Sequence, residues 1–193
     1  MDSAEIEFLA ETESIKIVPN FSHGVIYLFQ GDIGPFRAGI PLEVPVWLGL
    51  NLRQRQKCRL VQPSWMNPQE LTEIKEKEKE SQFFTPMPVA NAFVLTQLIL
   101  DVATSDLSES DEIRTILKDI WDIRQSKLRK SVDAFVRSGM LHAKLDHLHL
   151  IELNTVRPLL PATLDQINRL EMASAIAQYN SDSSRSFSNN TLY

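Results

Sequence analysis

The sequence predicts an α+β protein, mostly helical, in which a small N-terminal β-rich module precedes a helical bundle. Two observations carry this. Five of the six glycines, Gly24, Gly31, Gly34, Gly39 and Gly49, fall within residues 24–49, with Pro35, Pro41 and Pro45 among them and Pro19 just before. Breakers at that density leave room only for strand-length runs. From Asn67 onward, helix caps and apolar steps of three and four residues replace them. The 193 residues, 43% hydrophobic and 23% charged, are the composition of a globular chain able to bury a core without disulfides. The single cysteine, Cys58, excludes an intramolecular disulfide and a cysteine-only zinc site.

Each element has its own justification. Asp2 as N-cap, with Glu5 three residues on, predicts a short first helix. β-prone runs of strand length follow at Ser14–Val18, Val25–Phe29, Leu42–Val46 and Cys58–Gln62. Gly31-Asp32-Ile33-Gly34-Pro35-Phe36 reads as a tight turn, and a short helix is expected over Trp47–Gln56. Asn67-Pro68-Gln69-Glu70 sets an N-cap, a proline at the first helical position and a capping-box Glu in order, so a helix should run to Glu80. Its end, Lys75–Glu80, alternates charge with no apolar face and reads as solvated. Phe84-Thr85-Pro86-Met87-Pro88 breaks the chain, and another helix is expected over Val89–Ala103.

The strongest periodicity lies between Asp111 and Val136. Ile113, Leu117, Ile120, Leu128, Val132 and Phe135 set it, and Ile116, Trp121 and Ile123 widen it. A helix of about 26 residues is roughly 39 Å long, and a stripe that wide implies burial against more than one layer. Two readings stand: burial in the chain's own core, or partial burial against a sister subunit. Ile113, Ile116, Leu117, Trp121 and Leu128 are the candidate contacts for the second. Leu145–Leu153 alternates apolar and polar residues and suits a strand or the start of a final helix. Leu164, Ile167, Leu170 and Ala173 or Ser174 suit a last helix. The polar run after Tyr179 is expected to be disordered. The expected division is 1–62, 63–178 and a tail, 179–193.

The chemistry points away from catalysis. A net charge of −5 argues against a dedicated nucleic-acid binder. The acidic start lacks the basic and apolar regions of a signal peptide, and no apolar run of about 18 residues exists, so a soluble, intracellular chain is expected. Nucleotide-binding and nucleophile-elbow motifs are missing from the sequence. Lys57 and Arg59 flank Cys58 and favour its thiolate, but a buried strand cysteine is the preferred reading. His142, His147 and His149 lack zinc spacing and read as surface or structural residues; no metal and no cofactor are expected. Asp119 and Asp122 fall on the polar side of the long helix and read as solvated. Arg53, Arg55, Lys57 and Arg59 place a cation at every second position. If extended, all four share one face, able to meet an acidic partner or phosphates; if Trp47–Gln56 is helical, the first two diverge. Solvation, protein contact and DNA contact all remain open. Lys127, Arg129 and Lys130 form a weaker second patch. The residues alone describe a two-part, non-enzymatic assembly subunit.

Several stretches resemble the GINS replication complex, and within it the Psf-two subunit family. They are Glu7-Phe8-Leu9-Ala10-Glu11, Pro19-Asn20-Phe21, Gly31–Phe36, Val44-Pro45-Val46-Trp47-Leu48, Asn51–Leu60, Phe84–Pro88, Asp111–Thr115 and His142–Asp146. They occur in order over residues 1–155. The resemblance implies a small β-rich B domain preceding a helical A domain, and a heterotetramer with three other GINS subunits. It further implies that the tetramer joins the MCM ring and the Cdc forty-five cofactor in the nucleus, with the ATP chemistry belonging to MCM. DNA contact would be weak or indirect. The unbroken motif through Arg53, Arg55, Lys57 and Arg59 makes a protein contact the preferred reading of that cluster.

Overall fold

The computed structural model describes all residues except 1, 30, 139–145, 159–160, 162–164, 167–168, 171, 175 and 177–193. Helix α1 (Ser3–Glu11) opens the chain with a capping box. The Asp2 carboxylate accepts from the Ser3 and Glu5 amides, and Glu5 accepts from the Asp2 amide at 2.8 Å. β1 (Ser14–Pro19) is the centre of a three-stranded antiparallel sheet, between β4 (Leu42–Pro45) and β5 (Cys58–Leu60). β1 alternates buried Ile15, Ile17 and Pro19 with outward Ser14 and Lys16, as a sheet with one wet face must. Lys16 stands opposite Glu43 of β4, at 3.6 Å.

Helix α2 (Val46–Gln54) covers the inner face. It can do so because residue 49 is glycine: a Cβ there would lie 3.1 Å from Ile15 and 3.3 Å from Ile17. Its end is a reversal in which the Gln56 amide donates to the Arg53 carbonyl and the Lys57 amide to the Leu52 carbonyl. Gln56 takes the left-handed conformation there, φ 57°, a position that usually selects glycine.

The segment expected to be a tight turn is more ordered than its composition suggests. Gly31–Ile33 forms β3, which pairs with β2 (Ile26–Leu28) as a separate two-stranded ribbon. The chain then turns through a cis Gly34–Pro35 bond. Gly34 has φ +123°, and a Cβ on it would meet the Gly24 carbonyl at 3.1 Å, so only glycine fits.

Beyond a short 3₁₀ turn at Ser64–Met66 come α3 (Pro68–Glu80), α4 (Ala92–Ala103), a second 3₁₀ turn at Thr104–Asp106, α5 (Ser110–Ser138) and α6 (Leu150–Val156). Asn67 caps α3 through the Gln69 amide. α4 starts three residues later than expected, after Asn91. Residues 146–149 are not a strand; the helical alternative for that stretch holds from Leu150. Of the expected last helix, Leu170 and Ala173 are helical, while Leu164 and Ile167 lie outside the described residues, as does the tail 179–193.

The chain divides into two compact units, and Met1–Leu128 with Leu145–Asn154 form the first, which holds the sites treated below apart from Arg129 and Lys130. Within it the β-rich module and the helices share one hydrophobic cluster, from Ala10, Ile17 and Leu60 to Leu71, Ile99 and Ile120.

Candidate assembly interface

The first part of the long-helix stripe lies in the chain's own core, while Ile123, Val132 and Phe135 are half-buried. Ile113, Ile116, Leu117, Ile120 and Leu128 are all buried. Trp121 is half-buried and meets Phe93 edge-to-face, with centroids 5.1 Å apart. Of the two readings of the stripe, burial within the chain itself is the one that fits Ile113, Ile116, Leu117 and Leu128, and the first three pack in the shared hydrophobic cluster.

The basic cluster divides at the end of α2. Arg53 grips Asp106 with two hydrogen bonds, Nε to Oδ2 at 2.6 Å and Nη2 to Oδ1 at 3.1 Å, and also donates to Ser105 Oγ. Asp106 Oδ2 accepts the Leu60 amide as well, at 3.0 Å. One carboxylate therefore ties α2 and strand β5 to the turn after α4. The four cations do not share a face: Arg53 turns inward onto Asp106, Arg55 caps the end of α2, and Lys57 and Arg59 lie beyond the reversal at Gln56. Arg55, Lys57 and Arg59 are exposed, Arg59 on the outer face of β5. Cys58 faces inward, and burial pushes its thiol up to about 11 despite the Arg53 charge. It is a packed cysteine, not an activated one.

The second patch also divides. Arg129 and Lys130 are exposed. Lys127 is directed into the fold, where it donates to the Glu78 carboxylate at 2.8 Å and to the Glu78 and Phe83 carbonyls. It belongs to a buried ion network that the charge pattern concealed. The expectation of a solvated α3 end fails at Glu78, which is fully buried together with Arg124 and Glu152. Arg124 Nη1 donates to Glu78 Oε2 at 3.1 Å and to the Thr85 carbonyl at 3.0 Å. Its Nε and Nη2 hold Glu152 at 2.7 and 2.8 Å, and Nη2 also meets the His147 carbonyl at 2.7 Å. The guanidinium stands over the Phe84 ring, 5.2 Å from its centroid. Glu78 Oε2 accepts the Thr85 amide at 2.9 Å and the Thr85 hydroxyl. The network thus fixes the Phe84–Pro88 segment, α3, α5 and the entry to α6. Burial raises the Glu78 carboxyl, but bonds from Lys127 and Thr85 and the Arg124 charge outweigh it and hold the pKa below the ordinary carboxylate value. Burial likewise works against the Arg124 charge, and Glu152 and Glu78 more than restore it.

His149 is buried beside this network. Its Nδ1–H donates to the Ala90 carbonyl, and its ring meets Phe93 edge-to-face at 5.2 Å. Its amide donates to Glu152 at 2.9 Å, the back-bond of a capping box at the start of α6. Burial depresses its pKa, and Arg124 adds to that against the opposing pull of Ala90 and Glu152. His147 is exposed, and His142 lies outside the described residues. Among the described residues no cluster of three metal-ligating side chains occurs. Asp119, expected to be solvated, pairs with Lys75 at 2.7 Å.

What remains on the surface is apolar as well as basic. Among the described residues, Phe8, Tyr27, Phe29 and Phe83 are the most exposed aromatic side chains.

The fold is a small β-module followed by a helical bundle, with much of the long-helix stripe packed internally and several aromatics left outside. Residues 2–61 match the family described as the PSF2 N-terminal domain, and residues 65–171 match the GINS complex protein helical bundle domain. The chain is 50% identical over 170 residues to the DNA replication complex GINS protein PSF2 of Homo sapiens, covering 88% of this chain and 92% of that one. It is 48% identical to the probable PSF2 of Drosophila melanogaster, over 92% of this chain and 88% of that one. Against psf2 of Schizosaccharomyces pombe the identity is 31%, with 88% and 91% covered. The chain belongs to the PSF2 family of GINS DNA replication complex proteins.

Proposed function

We propose that this chain is a non-catalytic structural subunit of a GINS heterotetramer. In this reading the assembled complex joins the MCM ring and the Cdc forty-five cofactor in the replicative helicase, in the nucleus, for initiation and elongation of DNA replication. The observation that carries the proposal is the match of both parts of the chain, in order, to GINS families. The exposed aromatics support it, since apolar area left in water by a single chain is what a subunit interface removes.

Co-expression with three sister subunits and mass measurement of the intact complex tests the assignment. A 1:1:1:1 assembly is expected, and a monodisperse chain that ignores its sisters would sink it. A standalone DNA-binding module is not favoured. Arg53 is held by Asp106, leaving Arg55, Lys57 and Arg59 for any contact. Replacing Arg55 and Lys57 by Glu should weaken a protein contact and leave DNA affinity unchanged. A drop in DNA affinity, with the salt slope reduced by about 0.9 per lost phosphate contact, would favour the DNA reading.

A further inference from the structure

We infer that the outer face of the β2–β3 ribbon is a docking finger for a concave apolar pocket with a cationic rim on a sister subunit. The inference rests on the subunit reading above.

The ribbon has two unlike faces. Ile26 and Ile33, paired across it, pack on the hydrophobic core. Period-two alternation then places Val25 and Tyr27 on the opposite side, and Phe29 follows in the turn after β2. Tyr27 is 79% exposed and Phe29 114%, so neither ring leans on the rest of the chain. A tyrosine and a phenylalanine held in water on an ordered ribbon have little to do within the monomer. Aromatic side chains are also the type enriched among binding hot spots.

Three features choose the occupant. The first is shape: rings this exposed stand proud of the surface, so the complementary surface must be concave. The second is area. Two aromatics bury roughly 300–500 Å² between them. Two ribbons packed on each other would bury about 600–1,000 Å² in total, short of the ~1,200 Å² at which stable interfaces begin. A second copy of the chain is therefore not the occupant. A partner held to this chain elsewhere is, because the ribbon then adds its contact at high effective concentration. A sister subunit meets that condition. The third is charge. Asp32 stands directly across from Tyr27, exposed and without an ion pair among the described residues. A pocket that receives Tyr27 would have to answer that carboxylate with a cation at its edge.

The test uses the four-subunit complex, purified through a tag on this chain and diluted in series while its mass is followed. Tyr27→Ser with Phe29→Ser should weaken retention of one sister subunit by roughly 30-fold or more, the effect of truncating one hot-spot aromatic. Circular dichroism of the variant should match the parent, because the removed side chains touch almost nothing within it. Asp32→Lys should also weaken retention, most at low salt. An unchanged dissociation midpoint for the double variant overturns the docking assignment, and an unchanged Asp32→Lys overturns the cationic rim. If the parent chain itself fails to assemble, the subunit reading fails instead, which the parent control reads separately.

Discussion

Replacing Arg124 by Met removes the centre of the buried network while keeping much of its bulk. Glu78 would keep Lys127 and both Thr85 donors. Glu152 would keep only the His149 amide among the bonds described above, and the Thr85 and His147 carbonyls would lose their guanidinium donors. A buried carboxylate stripped of its cation typically costs about 3–5 kcal/mol. For a chain of this size that lowers the melting temperature by roughly 6–20 °C. Urea unfolding followed by far-ultraviolet circular dichroism would measure it, with the slope of the transition checked for constancy. The second variant is the sharper one. Arg124→Met with Glu152→Met removes the stranded charge, so the pair should recover stability relative to Arg124→Met alone, by about 1–3 kcal/mol of coupling. A loss below about 1 kcal/mol for Arg124→Met, or a double variant no better than the single, would refute the claim that this ion pair is closed and internally compensated.

Other consequences can be checked on the same material. Arg53→Glu places a carboxylate against Asp106 and should destabilise the fold by about 2–4 kcal/mol, whereas Arg55→Glu should stay within about 0.5 kcal/mol by urea unfolding. Stability should fall in two stages on acidification. His149 has a depressed folded pKa, so below its ordinary value of 6.5 the unfolded chain binds a proton that the folded one refuses. Glu78, also depressed, contributes stability above 4.5 that is lost as pH falls through its folded value. His149→Gln, which keeps a donor for Ala90, should flatten the upper stage, whose slope cannot exceed about 1.4 kcal/mol per pH unit for one proton. With its thiol near 11, Cys58 should resist iodoacetamide at pH 8 and react at the rate of unfolding, read by mass spectrometry.

Much of the fold was legible because local rules and tertiary structure agree. The Asp2–Glu5 capping box, the Asn67 cap with Pro68 behind it, the strand at Ser14 and the helix through Ile113 and Ile120 lie where spacing puts them. The misreadings share a cause. Charge reads as a marker of solvent, which places Glu78, Lys127 and the first of the clustered arginines at the surface. A signal was present. Arg124 continues the apolar steps Leu117, Ile120, Leu128, and Glu78 sits seven residues from buried Leu71. A charged residue on an apolar register is either an error or half of a pair. What spacing does not encode is which pair: Arg124 finds Glu78 and Glu152 across 46 and 28 residues of chain.

That distance bears on what the network does. Buried ion pairs are weak evidence for stability, since their desolvation offsets most of the attraction. Their geometry is another matter. A planar guanidinium with five donors, bonded to two carboxylates and two carbonyls, accepts few alternative arrangements. An apolar core of the same volume would let the Phe84–Pro88 segment slide by a residue with little penalty. With Thr85 bonded through its amide, hydroxyl and carbonyl, a slide of one residue breaks all three bonds. The turn that displays Phe83 is therefore set by a charge buried behind it. The hypothesis is that Arg124 fixes the shape of that surface more than it stabilises the chain. The Arg124→Met/Glu152→Met variant separates the two, since it should regain stability while amide exchange at Thr85 stays faster than in the parent. Restored protection at Thr85 would mean that apolar packing alone sets the turn.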